Sequence, residues 1–368
     1  MVKNGIACNI RPMNHIVMQR RARLQERFAA QTAAVNPDSL DVAEIRHFAV
    51  REPVSRKCYS LLRVTTRSGL TGWGECAFDS AADPKALQSA WVGRPVNAYA
   101  TIPPSAAFRA ALDIAFLDIL GKAINAPVYR ILGGPTRNKV RAYSSPYSQP
   151  FPVAVIDVPP PAWRNQGKAY QNRVLDVADA VPADRDFVLA GNGVLTPGDA
   201  ASIARTVESK HPLWFDEPCP HSNIEAVRKV ADETVVPLGF GDGIDDAGVF
   251  QALLRDGLVD VVRPDIGIFG ISGVRHVAAL AETYYVAVAP RHNGGPVGTA
   301  AAIQLAASIP NFFIQHVPLP TAEQDRAMRR EIVSPELETG NAGFLELTKS
   351  PGLGITVNEA ALEKYRAA

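Results

Sequence analysis

Leu213-Trp-Phe-Asp-Glu-Pro, Val236-Pro-Leu-Gly-Phe-Gly-Asp and Val261-Val-Arg-Pro-Asp share one pattern. In each, a short apolar run leads into a carboxylate: Asp216, Asp242 and Asp265. The acids stand 26 and 23 residues apart, about one strand-helix unit each. In a parallel barrel that spacing puts successive acids on neighbouring strands at the same rim. Such a rim suits binding of a divalent cation or movement of protons. The competing use is structural: acids at strand ends cap the next helix or pair with a rim arginine, and Asp265 follows Arg263-Pro264. One step of 26 residues before Asp216 lies Ala190, in Phe187-Val-Leu-Ala-Gly-Asn-Gly, a rim position without a carboxylate.

The same texture extends on both sides. Apolar runs at Val140–Tyr143, Val153–Val158, Phe187–Ala190, Leu213–Phe215, Val236–Phe240, Val259–Val262, Val286–Ala289 and Phe312–Gln315 alternate with helix-like stretches. That order predicts a parallel α/β barrel and not an open sheet. The stretch 146–166 holds Pro146, Pro150, Pro152, Pro159, Pro160 and Pro161, which leaves little room for a helix. Before the barrel, Ala43–Val50 and Ser60–Thr66 alternate with period two, and a turn at Arg67–Gly69 leads to Trp73-Gly-Glu-Cys-Ala, so a β-meander is predicted. Residues 105–124 read as a helix with Leu112, Ala115, Phe116 and Ile119 on one apolar face and Ser105 at its start. Gly133-Gly134-Pro135 marks a domain boundary.

The chain has 368 residues, 47% hydrophobic and 20% charged, which suits a barrel plus a smaller domain. A net charge of +1 gives no reason to expect nucleic acid or an anionic membrane as partner. Cys8, Cys58, Cys76 and Cys219 form no CxxC pair, so neither a zinc site nor a disulfide framework is indicated; Cys219 is the one placed to meet a ligand. No run is apolar for the roughly 18–20 residues of a membrane span, and the basic N-terminal stretch lacks the apolar run of a signal peptide, so a cytoplasmic location is expected. Residues 16–34 read as a basic helix, a solvated arm or a subunit contact.

The stretch from Ala111-Leu-Asp-Ile-Ala-Phe-Leu-Asp-Ile-Leu-Gly-Lys to Arg130-Ile-Leu-Gly-Gly resembles the hallmark helix and turn of the mandelate racemase/muconate lactonizing branch of the enolase superfamily. Val140-Arg-Ala-Tyr-Ser-Ser and Pro351-Gly-Leu-Gly-Ile-Thr-Val resemble its first barrel strand and its C-terminal return. The resemblance covers about residues 40–365. It implies an α/β fold, a modified TIM (β/α) barrel with an N-terminal α+β capping domain. The expected division is an arm over 1–38, the cap over 39–137, the barrel over 138–345 and a C-terminal segment over 346–368. It also implies a homo-oligomer, a dimer or octamer.

The implied chemistry is removal of a proton next to the carboxylate of a hydroxy or sugar acid, with Mg2+ beside the developing dianion. By this resemblance Asp216 and Asp242 are the second and third metal ligands, and the first falls on Ala190. Asn192 and Glu217 are the nearest substitutes. The acid of the family's His-Asp dyad falls on Asp265. Its histidine falls on Arg291 or His292 according to the direction of counting, and His292 is taken as the proton carrier with Asp265. Arg291, His316, Asn192 and Asp157 are the expected substrate contacts, Asp157 because its strand carries no lysine. Glu75 reads as structural, and cap residues around 50–57 and 77–100 as setting specificity.

Three functions stay open. The first is a magnesium-assisted dehydratase, racemase or isomerase. The second is a metal-independent enzyme in which Arg291 and His316 hold the carboxylate and His292 moves protons. The third is a non-catalytic sugar-acid-binding protein. The first is the working expectation.

Overall fold

The computed structural model describes residues 37–145, 151–161 and 167–367. The expected N-terminal helix over 16–34 lies outside them, as does most of the arm. The cap is built on an antiparallel meander of β1 (Val42–Arg51), β2 (Cys58–Thr66) and β3 (Thr71–Ala77). Phe48 pairs with Leu61, and Leu61 with Glu75. Gly69 takes φ +84 in the turn, a conformation that suits glycine.

One face of this sheet lies on the helix Arg109–Ala123. A Cβ at Gly74 would stand 1.8 Å from Ala111 O, so a side chain there would force the two elements apart. The helix starts at Arg109 and not at Ser105, because Phe108 turns left-handed at φ 56 and no side chain caps it. Its burial is also wider than one face. Every residue from Ala110 to Ile119 is buried, Asp113 and Asp118 included. A helix enclosed on all sides reads as apolar all round, and its two acids must be satisfied internally. Asp118 accepts from Trp73 N at 2.9 Å and Leu353 N at 2.8 Å and pairs with Lys122 at 2.7 Å. Asp113 accepts from Ser272 N at 2.9 Å, which fastens the cap to the barrel helix Ile266–Thr283.

Among the described residues, eight short barrel strands follow the cap in the order the apolar runs predict. They are β4 (Lys139–Ser144), β5 (Ala154–Asp157), β6 (Phe187–Ala190), β7 (Phe215–Asp216), β8 (Leu238–Phe240), β9 (Val261–Val262), β10 (Ala287–Val288) and β11 (Gln315–Val317). β5 to β10 form one parallel sheet in sequence order, and β11 runs parallel beside β4. Phe313 N donates to Val288 O at 2.8 Å and His316 N to Pro290 O at 3.1 Å, which joins β10 to β11. Tyr143, Val153, Val188, Trp214, Val261, Ala289 and Ile314 fill the interior. They come from nearly every strand, so the barrel has a packed centre. A larger apolar layer lies between the strands and the surrounding helices. The end of the chain returns to the cap, where Glu359 pairs with Arg46 and Arg63. Among the described residues no helix is long and apolar enough to cross a membrane.

Candidate active site

The parallel register places the rim residues side by side. Asp157 lies opposite Ala190, Ala190 opposite Asp216, and Asp216 opposite Gly239. Asp265 bridges to Arg291 in the continuation of β9 and β10. The C-terminal ends of the strands surround a cavity of about 180 Å³ beneath the cap. A larger one, of about 440 Å³, opens at Tyr99, Arg109 and His276, away from those strand ends.

Two arginines govern the rim. Arg263, only 4% exposed, points its Nη1 at Asp216 Oδ2, and its Nη2 donates to Tyr143 Oη at 2.8 Å. The other Asp216 oxygen accepts from Trp214 Nε1 at 3.1 Å. Burial disfavours the Arg263 cation, but Asp216 and Tyr143 more than offset that and hold it charged. Burial raises the Asp216 carboxyl although Arg263 pulls it down. Arg291 pairs through Nη1 with Asp242 Oδ1, and its Nε lies 3.9 Å from Asp265 Oδ2. Asp265 also caps the helix that follows, accepting from Gly267 N at 2.7 Å. Burial pushes its carboxyl up to about 6, against the pull of Arg291.

This donor set does not fit magnesium. Octahedral Mg2+ needs oxygen ligands free to face it. Here Asp216 and Asp242 face guanidinium groups, and Ala190 brings no oxygen. Asn192 Nδ2 donates to Asp157 Oδ1 at 3.1 Å. Glu217 accepts from Gly241 N at 2.5 Å and Asp242 N at 2.6 Å. Among the described residues no group of three His, Cys, Asp or Glu could hold a metal ion.

The histidines are placed otherwise than the sequence suggests. His292 is 1% exposed and lies behind the cavity wall, with Thr299 Oγ1 at 3.2 Å from Nε2 and Gly294 N at 3.4 Å from Nδ1. It makes no dyad with Asp265. His316 does line the cavity, its ring 5.3 Å from that of Tyr143. Its Nδ1 is buried without a hydrogen-bond partner. Burial and the nearby arginines hold both imidazoles well below their usual range, so both are neutral at pH 7. Arg291, His316, Asn192, Asp157, Asp216 and Asp242 all reach the cavity, whereas His292 and Asp265 do not line it. Cys219 is fully buried in the apolar core.

Two polar cavity residues, Arg263 and Tyr143, receive no role from the sequence reading, and Lys57 is marked only as part of a cap segment. Arg263 stands inside a quoted motif, yet only the fold turns it toward Asp216 and not outward. Tyr143 sits in the first strand and looks like core. Lys57 closes the cap segment 50–57 that the sequence marks for specificity, but it lies about 160 residues before Asp216 and no local spacing singles it out as the residue that reaches the rim.

With the eight-stranded order and the capped rim established, similarity to known families can be weighed. A family pattern described as enolase C-terminal domain-like matches residues 159–361. The chain belongs to the enolase superfamily, in its mandelate racemase/muconate lactonizing branch. Enolase-superfamily members typically use Mg2+, which makes the arginine-filled rim of this member a departure.

Among its relatives, a D-gluconate dehydratase of Thermoproteus tenax is 29% identical over 286 residues, covering 72% of this chain and 57% of its own length. A D-galactonate dehydratase family member of Streptomyces bingchenggensis is 26% identical, covering 83% of this chain and 89% of its own. The 3,6-anhydro-D-galactonate cycloisomerase of Zobellia galactanivorans superposes with a TM-score of 0.75 at 22% identity, over 89% of this chain and all of that one. A mandelate racemase/muconate lactonizing enzyme of Jannaschia superposes equally well at 24% identity, over 89% and 98%. At such identities the superpositions speak for the fold alone.

Proposed function

We propose that this enolase-superfamily member is a lyase or isomerase that removes the proton next to the carboxylate of a hydroxy or sugar acid, with guanidinium charge where its relatives place a metal. The observation that carries the reading is the pair of arginines set against the rim acids: Arg263 on Asp216 and Arg291 on Asp242. The names of the sequence relatives support the substrate class.

Removing an α-proton puts a second negative charge on the acid, and that charge needs a fixed cation in a dry site. Arg263 is fixed by Asp216, Tyr143 and the face of Trp214, 5.6 Å away. A guanidinium offers planar, directed N–H donors to a carboxylate. His316 is the neutral imidazole on the cavity wall with a nitrogen unengaged, and it is assigned the proton transfer. Asp157 and Asn192, joined at 3.1 Å, are assigned the sugar hydroxyls. Asp265 supports the wall from behind through Arg291, and His292 is held in the interior beside Thr299. A magnesium-assisted reaction, the working expectation from sequence, would require Asp216 and Asp242 to leave their arginines.

The test is a screen of sugar acids for dehydration and for α-hydrogen exchange in deuterated water, with excess chelator or with Mg2+. Turnover that survives the chelator is the expected result. Turnover only with Mg2+ would overturn the guanidinium reading, and none with any acid would favour a binding protein.

A further inference from the structure

We propose that Lys57, carried by the cap, is the anchor for the substrate's carboxylate. The inference rests on the acid-site reading above and names the group that receives the acid.

The argument is one of charge. Among the described residues, three cationic side chains line the cavity: Arg263, Arg291 and Lys57. Arg263 is matched by Asp216, and Arg291 by Asp242 with Asp265 close by. Lys57 Nζ makes no hydrogen bond or ion pair with any described residue. At either arginine an incoming carboxylate would share a guanidinium already committed to a resident carboxylate, which suits the charge that develops during reaction better than the first capture of the acid. At Lys57 it meets an ammonium group that is free.

An unmatched cation held in a partly dry cavity is costly, so the backbone must enforce its position. Glu52 N donates to Lys57 O at 2.9 Å and closes the base of the loop. Asp325, from the helix Glu323–Ile332, accepts from Val54 N at 2.8 Å and Ser55 N at 2.9 Å. Glu52 accepts from Ser55 Oγ at 2.6 Å and from Arg329 Nε at 2.8 Å. Asp325, Glu52 and Arg329 are all 2% exposed or less. The loop is thus tied to the barrel by buried charged groups while its last residue faces the cavity. Burial and then Arg329 lower the Lys57 pKa, whereas Glu52, Glu75 and Asp265 act the other way. A bound carboxylate would supply the opposite charge that is missing. No lysine stands on β5, so the cap supplies the amine from across the cavity.

The test is calorimetric titration of the full chain, in chelator, with D-gluconate, D-galactonate, D-xylonate and the neutral polyol D-glucitol. Variants are Lys57→Met, Lys57→Arg and, as a control at an exposed lysine, Lys229→Met. Lys57→Met is expected to weaken acid binding about tenfold or more, as loss of a charge-assisted contact does. Lys57→Arg should restore most of it, and glucitol should not discriminate among the variants. Acid binding equal in wild type and Lys57→Met would overturn the anchor and leave the acid site standing. The same holds if α-exchange is lost in Lys57→Met while acid affinity is kept, since Lys57 would then be moving a proton. If none of the acids binds wild type, the acid-site reading itself fails and the anchor with it.

Discussion

Asp216 shows how one residue's neighbours decide its chemistry. At the end of a strand it looks like a metal ligand, and with both oxygens engaged by Arg263 and Trp214 it is half of a buried ion pair. Removing one partner of such a pair strands the other charge, at a cost of about 3–5 kcal/mol. Arg263→Met is therefore expected to lower stability by about that much in urea unfolding, and Arg263→Met with Asp216→Leu to recover most of it. The metal question has its own variants. Ala190→Asp alone should leave Mg2+ affinity negligible, because the arginines still face Asp216 and Asp242. Ala190→Asp combined with Arg263→Ala should create measurable affinity by calorimetry, and equal binding by the single and double variants would contradict this account. His292 supplies a contrast. Buried behind the wall, His292→Gln is expected to cost about 1–3 kcal/mol of stability with sugar-acid affinity unchanged. His316→Gln should reduce α-exchange with little loss of stability.

At the scale of elements, the cap is set by how closely β3 approaches the helix Arg109–Ala123. Gly74→Ala would drive a methyl into Ala111 O. Overpacking of this kind costs about 1–3 kcal/mol, and scanning calorimetry should show the drop without a change in barrel strand content by circular dichroism. The helix was legible in sequence as a helix but not in its extent. Its start depends on the left-handed turn at Phe108, and its burial on both sides depends on the barrel helix that Asp113 grips through Ser272. Neither partner lies within a local window. The barrel strands were more legible, since apolar runs between helix-like stretches are local. Their ends still moved: the run Phe312–Gln315 becomes a strand at Gln315–Val317.

For the whole molecule, buried acids and buried imidazoles pull the response to pH in opposite directions. Burial raises Glu75 to about 7 and Asp113 and Asp265 to about 6, despite the hydrogen bonds or opposite charges each receives. Their unfolded values are about 4.3 and 3.9. With folded values above unfolded ones, the folded chain holds extra protons between about pH 4 and 7. The stability these groups contribute is full below the unfolded values and is lost as pH rises through the folded ones. The contribution of these three acids to the unfolding free energy should therefore fall from pH 5 to pH 7.5, while His292 and His316, held below their usual range, contribute in the opposite sense. The stability difference between wild type and Glu75→Gln should change across that window, and a difference independent of pH would refute the role of Glu75. The sequence by itself determined the order of strands, the rim positions of Asp216, Asp242 and Asp265 and the gap at Ala190, because hydrogen-bonded elements and apolar burial follow short-range periodicity; the family came from the likeness of particular stretches to its hallmark segments. Only the tertiary structure decided which charge each acid meets, that His316 and not His292 faces the cavity, and that the cap delivers Lys57. These are meetings of side chains from distant parts of the chain, fixed by packing and by the pairing of rim acids with arginines, and no spacing along the sequence encodes them.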